Sequence, residues 1–352
     1  MTVASELSSL EDQLGEERKK VDVASHDFSV RELVRMLADG ELSITPEYQR
    51  KYRWDDEVSS TFIESVFLGL PIPPIFVATN AGFQWEVVDG LQRLSTLLYF
   101  IAEGPDGLKA VNRSKALKLT RLQKLTQLNG VGYDDLPVPL QRYFGRQPLQ
   151  VISLTDKSSK EVRFDLFERL NAGSIALSPQ EVRACIYRGE FNRLLEELAS
   201  GDLQDLLKLQ QARQNDGTAA EQVLKFFAYK NARDKFDGRV KKFLNDYMES
   251  VQGSESVEVD IELYSRSVSS LLEATGGGPL LRTATAVTPL VQLEACLVGI
   301  AELLTDGVDV TIPPSGWQDD AALVTASTGG SNTRTKLEAR INRAKVLFSG
   351  RA

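Results

Sequence analysis

The sequence predicts an α+β fold in which a small mixed sheet with helices is followed by an all-helical C-terminal half. Two observations predict it. Short apolar stretches bounded by glycine, proline and asparagine, which are typical of strands, lie before residue 155. From residue 156 onward, apolar residues recur at helical spacing. We therefore expect a polar lead over residues 1–22, an α+β domain over residues 23–155, and a helical domain over residues 156–352 packed on it.

Capping residues mark the first helices. Ser29 with Glu32 three residues later forms a capping box, which predicts that a helix begins here. Residues 42–44 then predict a short strand. Asp55 predicts the N-cap of a second helix that runs through about Leu68.

Strands and one sharp turn form the centre of the first half. Residues 75–78 and 83–88 predict a hairpin, because turn residues separate two apolar runs. The chain then breaks at Asp89-Gly90 and restarts as a helix to about residue 102, since glycine accepts backbone angles that other residues avoid. Residues 149–154 predict a further strand.

The second half begins with a clear helix start. Ser178 as N-cap, Pro179 at the first helical position and Glu181 as capping-box partner predict it. This pattern gives Glu181 a structural explanation. Residues 287–304 predict a long apolar helix that should be buried, and a basic helix follows from about residue 331.

Composition excludes several classes of function. A net charge of −8 and a pI near 5.1 argue against a protein whose whole surface binds nucleic acid, although a local basic patch is compatible with them. A single histidine, His26, and two scattered cysteines, Cys185 and Cys296, argue against a zinc site or a protease triad. Both cysteines lie in apolar helical patterns, so we expect buried thiols rather than a disulfide.

The sequence also predicts a cytoplasmic protein that does not bind membranes. No apolar run approaches the roughly 20 residues needed to cross a bilayer. Residues 1–20 are polar and charged, without the apolar core of a signal peptide.

The strand–turn–helix at Asp89-Gly90 has the pattern of an anion site. The first N–H groups of such a helix lack intrahelical partners, and together with the helix dipole they favour a phosphate. Arg93 lies in the first turn, where a guanidinium could bind a phosphate with two hydrogen bonds. Asp89 stands where a carboxylate could hold a metal ion or orient Arg93. A plain connection with an ordinary surface arginine is the alternative.

Two other segments are rich in cations. Residues 48–54 interleave cations with aromatic residues, a pattern that fits binding of phosphates or bases as well as a solvated loop anchored by Trp54. Residues 109–124 contain several cations and no acid, which makes them the best candidate for a DNA-facing segment, with a solvated insertion as the alternative. Its cations are Lys109, Arg113, Lys115, Lys118, Arg121 and Lys124.

Three motifs in order resemble the N-terminal domain family of the GmrSD restriction enzymes. Asp89-Gly90-Leu91-Gln92-Arg93 resembles its Asp-Gly-Gln-Gln-Arg signature, with Leu91 where the family usually has glutamine. Residues 48–54 resemble its upstream Gln-Arg…Trp element. Residues 167–181 resemble its downstream Arg-Leu-Asn…Leu-Ser…Glu element. The resemblance implies a ParB/sulfiredoxin-like fold and a role in DNA restriction or anti-phage defence.

The resemblance also implies a bound nucleoside triphosphate with Mg²⁺, and hydrolysis of that nucleotide. The backbone from Gly90 onward would cradle a phosphate, Asp89 would hold Mg²⁺ through water, and Gln49 or Gln92 would place the attacking water. Nucleotide contacts would come from Arg93, Arg50, Arg53 and Asn171. The expected partners are DNA and a separate nuclease or effector subunit, and homo-oligomerisation stays open.

Two alternatives remain. One is a non-catalytic sensor of a nucleotide or DNA that regulates a partner nuclease or toxin, which Leu91 favours if the family glutamine orients a water. The other is a DNA nickase. The nickase ranks last, because only Asp89 and Glu86 are carboxylates near the motif, and strand alternation places them on opposite faces.

Overall fold

The chain forms two compact units, residues 1–175 (unit 1) and residues 176–352 (unit 2). The computed structural model describes residues 3–44, 52, 54–79, 82–101, 108–109, 111–155, 158, 160–170, 178–187, 189–214, 216–252, 260–330 and 332–350. The division between the units falls later in the chain than residue 155, because the helix Lys160–Leu170 packs against a strand of unit 1.

Unit 1 contains one mixed sheet. Its described strands are β1 (Val23–Ser29), β2 (Leu42–Ser43), β3 (Ile75–Thr79), β4 (Trp85–Asp89) and β5 (Pro148–Leu154). They lie in the order β1-β5-β3-β4-β2. The β1–β5 and β3–β4 pairs are antiparallel, and the β3–β5 and β2–β4 pairs are parallel. The predicted hairpin and the predicted mixed sheet are confirmed.

The edge strand β1 was not predicted from the sequence. Most of its side chains are exposed, so it lacks the apolar alternation that identifies a half-buried strand. It forms because it pairs along its whole length with β5, from Val23 opposite Leu154 to Ser29 opposite Pro148. Long-range pairing thus supplies what the local pattern does not show.

Unit 1 has six described α-helices. They are α1 (Val3–Lys19), α2 (Val30–Ala38), α3 (Asp56–Leu68), α4 (Leu91–Ile101), α5 (Val138–Gly145) and α6 (Lys160–Leu170). The predicted caps are confirmed: the N–H of Glu32 donates to Ser29 Oγ at 3.2 Å, and the N–H of Val58 donates to Asp55 Oδ1 at 2.8 Å. These bonds satisfy helix-start donors that otherwise lack partners.

Helix α4 lies at the centre of unit 1. All its residues from Arg93 to Ile101 are buried, and Leu94, Leu97 and Phe100 are completely covered. A helix that is buried on every side is enclosed by its neighbours. Its first turn is therefore held in a fixed place at the end of β4.

Unit 2 is helical throughout its described residues, as predicted. Its helices are α7 (Pro179–Ile186), α8 (Glu190–Ala199), α9 (Leu203–Leu206), α10 (Thr218–Ala232), α11 (Val240–Gln252), α12 (Ile261–Ala274), α13 (Leu290–Thr305), α14 (Ala321–Ser327) and α15 (Arg334–Phe348). The predicted apolar helix is α13, and its buried residues pack into one core with those of α10, α12 and α15.

Two further predictions for unit 2 can be compared with the structure. Ser178 and Glu181 form the predicted capping box at the start of α7. Cys296 is buried without a disulfide, and burial raises the pKa of its thiol. The side chain of Cys185 lies outside the described part of the chain. Within the described residues, every helix is too short or too polar to pass through a bilayer.

Candidate functional site

Gly90 makes the turn between β4 and α4 possible. Its φ of +106° lies in a region that residues with a side chain rarely adopt. A Cβ atom at this position would lie 3.0 Å from Cγ1 and 3.2 Å from Cγ2 of Ile75 on β3. Two separate features therefore require glycine at position 90: the positive φ of the turn and the close approach of β3. The register shift between Phe76 and Val77, beside Asp89, also belongs to this irregular end of the hairpin.

Arg93 and Asp89 form an ion pair across the turn. Arg93 Nη2 donates to Asp89 Oδ2 at 2.5 Å, and Arg93 Nη1 donates to the carbonyl oxygen of Pro73 at 2.5 Å. The side chain of Arg93 is only 11% exposed. The guanidinium thus ties the end of β4, the first turn of α4 and the segment before β3 together. This is the orienting contact that the sequence allowed between Asp89 and Arg93.

The Asp89 carboxylate stays open to a ligand on one side. Its side chain is 37% exposed, and within the described part of the chain only Oδ2 has a hydrogen-bond partner. The first N–H groups of α4 lie beside it, and the intrahelical bonds begin with Leu94 N–H, which donates to the Gly90 carbonyl at 2.9 Å. A half-exposed carboxylate therefore lies beside the start of α4, where the helix dipole favours an anion.

Gln92 and Thr96 attach the upstream motif to the same helix. The N–H of Trp54 donates to Gln92 Oε1 at 3.2 Å. The Tyr52 hydroxyl lies 3.2 Å from Thr96 Oγ1 and 2.7 Å from Ser59 Oγ. The end of the segment 48–54 is thereby fixed against the first two turns of α4. Two of the three motifs that the sequence singled out thus meet at this helix.

Arg113 is part of this anchor. Its guanidinium carbon lies 5.2 Å from the ring centres of both Tyr52 and Tyr99, and Nη2 donates to the Trp54 carbonyl at 3.1 Å. Such contacts are cation–π interactions. Tyr99 donates in turn to Asp56 Oδ1 at 3.0 Å, and burial together with the Asp56 carboxylate raises the pKa of Tyr99 to about 12. Arg113 is therefore engaged inside unit 1.

The other cations of residues 109–124 are distributed along an ordered segment. The N–H groups of Lys124 and Leu125 both donate to Glu64 Oε1 on α3, at 2.9 and 2.7 Å. Arg121 pairs with Glu57 of the same helix at 2.5 Å, and Lys118 lies 3.7 Å from Asp135. Lys109, Lys115, Lys118, Arg121 and Lys124 are all exposed. Acidic partners outside the segment thus offset part of its charge.

The remaining predicted residues lie outside the described part of the chain. They are Gln49, Arg50, Arg53 and Asn171. Among the residues that the structure does describe, no group of three or more His, Cys, Asp or Glu side chains is placed to hold a metal ion. A Mg²⁺ ion at Asp89 would therefore be held by one carboxylate together with water and the phosphates of a nucleotide, a common arrangement for this ion.

Several residues of the site gave little signal in the sequence. Pro73 and Ile75 matter through a carbonyl oxygen and a close packing contact, which are properties of the folded chain. Glu86 is 1% exposed in the middle of β4, although the sequence offered it only as a carboxylate near the motif. Charged residues are usually exposed, so the residue type alone does not indicate burial. The only indication in the sequence was the position of Glu86 within a largely apolar strand.

These features define the class of the protein: an α+β unit with a polar site at a strand–glycine–helix turn, followed by a helical unit. Residues 30–188 match the family described as GmrSD restriction endonuclease, N-terminal domain. The three motifs therefore identified the family correctly. The match extends from α2 in unit 1 into the first helix of unit 2. The search of curated proteins and the search of solved structures each gave no match.

Proposed function

We propose that the protein is a component of a DNA restriction or anti-phage defence system, and that unit 1 binds and hydrolyses a nucleoside triphosphate at the turn Asp89–Arg93. The family match over residues 30–188 supports the restriction context. One observation supports the nucleotide site: a half-exposed carboxylate lies beside the start of α4, on a turn that requires glycine. Such a system acts on DNA, so the proposed location is the cytoplasm.

The start of α4 would hold a phosphate. Its backbone donors follow Gly90 directly, and the positive end of the helix dipole adds to their attraction for an anion. Because α4 is enclosed on all sides after its first turn, these donors cannot shift without moving the core. A site built on such a rigid element keeps its geometry when charge develops on the phosphate.

Arg93 has two roles in this proposal. Its bonds to Asp89 and to the Pro73 carbonyl keep the carboxylate in place, and its charge lies within one helical turn of the phosphate donors. Asp89 Oδ1 would face a Mg²⁺ ion that arrives with the nucleotide, which lowers the charge repulsion against an attacking water. In the reaction, water attacks the terminal phosphorus, the bond from that phosphorus to the bridging oxygen breaks, and the nucleoside diphosphate leaves with this oxygen. The products are nucleoside diphosphate, inorganic phosphate and a proton.

The water-positioning residue is proposed among the glutamines of the two motifs. Gln92 is held beside the helix start because its Oε1 accepts the Trp54 N–H. Gln49 lies five residues before Trp54 in the same upstream motif. Arg50, Arg53 and Asn171 complete the proposed set of nucleotide contacts from the resemblance.

DNA is the proposed second ligand of unit 1. The exposed side chains Lys115, Lys118 and Lys124 lie on the segment that is hydrogen-bonded to α3, so they would present charge on an ordered surface. Arg113 is engaged with aromatic rings, and we assign it to the fold of this surface. Cleavage of DNA would be performed by a separate nuclease or effector subunit.

A second candidate function is a nucleotide sensor without hydrolysis. Leu91 is the first residue of α4 and stands where the family usually has glutamine. If that glutamine orients the water, the leucine leaves binding intact and removes hydrolysis. The sensor would then regulate its partner through the occupied state of the turn.

The test is phosphate release from each of the four ribonucleoside triphosphates with Mg²⁺, with and without DNA. Asp89→Asn is the variant of choice, because the amide oxygen still accepts the Arg93 hydrogen bond while the negative charge is lost. Asp39→Asn, on an exposed ion pair with Arg35, is the matched control. Release that is lost only in Asp89→Asn supports hydrolysis at the turn. Thermal stabilisation by a nucleotide without release supports the sensor. Equal behaviour of Asp89→Asn and wild type refutes the site.

A further inference from the structure

Unit 2 contains a second site of a different kind. A cavity of about 380 Å³, called here the basic cavity, lies between the start of α13 and the segment that precedes α10. Lys208, Arg213 and Arg282 line it, and no carboxylate is among its lining residues in the described chain. In a chain with a net charge of −8, three cations around one concave space are an unusual concentration of positive charge.

The start of α13 adds unpaired donors to this cavity. The first two residues of the helix, Leu290 and Val291, line the basic cavity. The N-cap residue is Pro289, which provides no side-chain cap, and the first turn contains no acid. Within the described chain, intrahelical bonding starts with Gln292 N–H, so the N–H groups of Leu290 and Val291 have no partner. The helix dipole therefore adds to the charge of the three cations.

Two side chains at the basic cavity have polar atoms whose hydrogen-bonding capacity is unused. Ser327 is 7% exposed, and its Oγ is buried without a partner in the described chain. Nη2 of Arg282 is likewise buried and unpaired, while Nε donates to Gln292 Oε1 at 2.6 Å and so fixes the guanidinium. Burial lowers the pKa of Arg282, and the charge of Asp319 offsets this. Unsatisfied buried donors cost free energy, which a ligand with acceptor atoms recovers.

A neighbouring cavity of about 440 Å³ shares Arg213, Leu290 and Val291 with the basic cavity. Its walls carry the carboxylates of Asp216, Glu221 and Glu294 and the ammonium of Lys225, together with uncharged hydrogen-bonding groups such as Gln180 and Gln222. These acids disfavour a phosphate here and suit the uncharged part of a ligand. Gln222 is 2% exposed, and its Oε1 has no partner in the described residues. The volume of each cavity falls within the range of small-molecule sites, and neither is wide enough for a duplex.

We propose that unit 2 binds a small phosphorylated molecule, with its phosphate in the basic cavity between Arg282, Arg213 and the start of α13. Charge-assisted bonds from arginine and helix-start N–H groups are the usual ligands of phosphate in proteins. The rest of the molecule extends past Arg213 towards Gln222, so a ligand of mononucleotide size fills both spaces. The site contains no residue of the Asp89–Arg93 turn, and it does not depend on the function proposed for unit 1.

The test uses isothermal titration calorimetry on the full chain at constant ionic strength. Inorganic pyrophosphate probes the phosphate subsite alone, and the four ribonucleoside monophosphates probe both cavities. All titrations use the Asp89→Asn background as well as wild type, because a nucleotide at the turn of unit 1 would otherwise contribute. Binding that survives Asp89→Asn supports the second site, and binding that disappears with it refutes it.

The key variant is Lys208→Gln with Arg213→Gln. Both side chains are exposed, so the fold should be retained. We expect affinity for pyrophosphate to fall on the order of tenfold or more. The matched control is Lys235→Gln with Arg266→Gln, which removes the same charge from exposed positions of unit 2 outside both cavities. Equal losses in both double variants would show that only net charge matters, and would refute the site.

Ser327→Ala gives an independent check. Because Oγ has no partner in the described chain, its removal should leave the melting temperature unchanged or higher, while affinity for pyrophosphate falls roughly fivefold. Unchanged affinity removes Ser327 from the site. Titration with duplex DNA completes the test. If DNA competes with pyrophosphate, and if the double variant Lys208→Gln with Arg213→Gln weakens the binding of DNA and of pyrophosphate equally, the cations form a nucleic-acid surface. The small-molecule proposal would then be wrong.

Discussion

Gly90→Ala should destabilise unit 1 through two separate costs. At a φ of +106°, a residue with a Cβ is strained by about 1–3 kcal/mol. The new Cβ would also lie 3.0 Å from Ile75 Cγ1, 3.2 Å from Cγ2 and 3.3 Å from Cα, which is overpacking worth about 1–3 kcal/mol. The expected loss is therefore about 2–6 kcal/mol, a large part of the stability of an ordinary domain.

Gly40→Ala separates the two costs. Gly40 has a φ of +73°, and no atom of the described residues lies within 4 Å of the position that its Cβ would take. This variant carries only the backbone strain, so Gly90→Ala should lose about 1–3 kcal/mol more. Urea unfolding can be followed by tryptophan fluorescence in a Trp317→Phe background. Trp54 and Trp85 both lie in unit 1, and the signal then reports that unit alone.

A double-mutant cycle completes the test. Ile75→Ala removes two of the three atoms that the new Cβ would meet, so Gly90→Ala should cost clearly less in that background. The reasoning fails if Gly90→Ala and Gly40→Ala lose the same stability, or if the cycle gives no coupling. In either case the close approach of β3 would not be what requires glycine at the turn.

Three further predictions concern charged residues. Arg93→Met should lower the stability of unit 1 by about 2–3 kcal/mol, because two hydrogen bonds of an enclosed guanidinium are lost. Arg35→Met, on an exposed helix face, should lower it much less, and urea unfolding measures both. Burial raises the pKa of Glu221, but the positive charges of Lys225 and Arg183 lower it by a larger amount. The pKa of Glu221 therefore lies below its ordinary value of 4.5. The stabilisation from Glu221 is thus complete above pH 4.5 and decreases as the pH falls through the lowered pKa; unfolding of wild type and Glu221→Gln across pH 3–7 should show a shallower acid loss in the variant. Arg113→Met should lower the melting temperature through loss of its two ring contacts; weaker DNA binding with unchanged melting would instead place Arg113 on the DNA.

Much of the fold followed from local signals in the sequence. The caps Ser29 and Asp55 and the break at Gly90 were predicted, because each satisfies a backbone requirement with its own side chain or lack of one. The exposed strand β1 was not predicted, since its stability comes from pairing with residues far along the chain. Local pattern and long-range pairing are separate sources of structure.

Only the features of the candidate site that depend on local sequence were predicted. The turn, the ion pair of Asp89 with Arg93 and the importance of Trp54 were within reach of the sequence. That Arg93 is enclosed, and that Arg113 contacts two tyrosine rings, depends on which surfaces meet after folding. A row of cations in a sequence does not tell which of them face water. Only the structure separates the exposed lysines from Arg113.

The position of β5 bears on how unit 1 forms during synthesis. This strand is the last of the sheet to be translated, yet it lies between β1, the first, and β3. Until residue 154 has left the ribosome, β1 has no partner and β3 exposes an unpaired edge. Folding of unit 1 should therefore wait for its last strand and proceed slowly, as is usual for sheets closed by distant segments. A truncated chain that ends before residue 148 should expose this edge and aggregate.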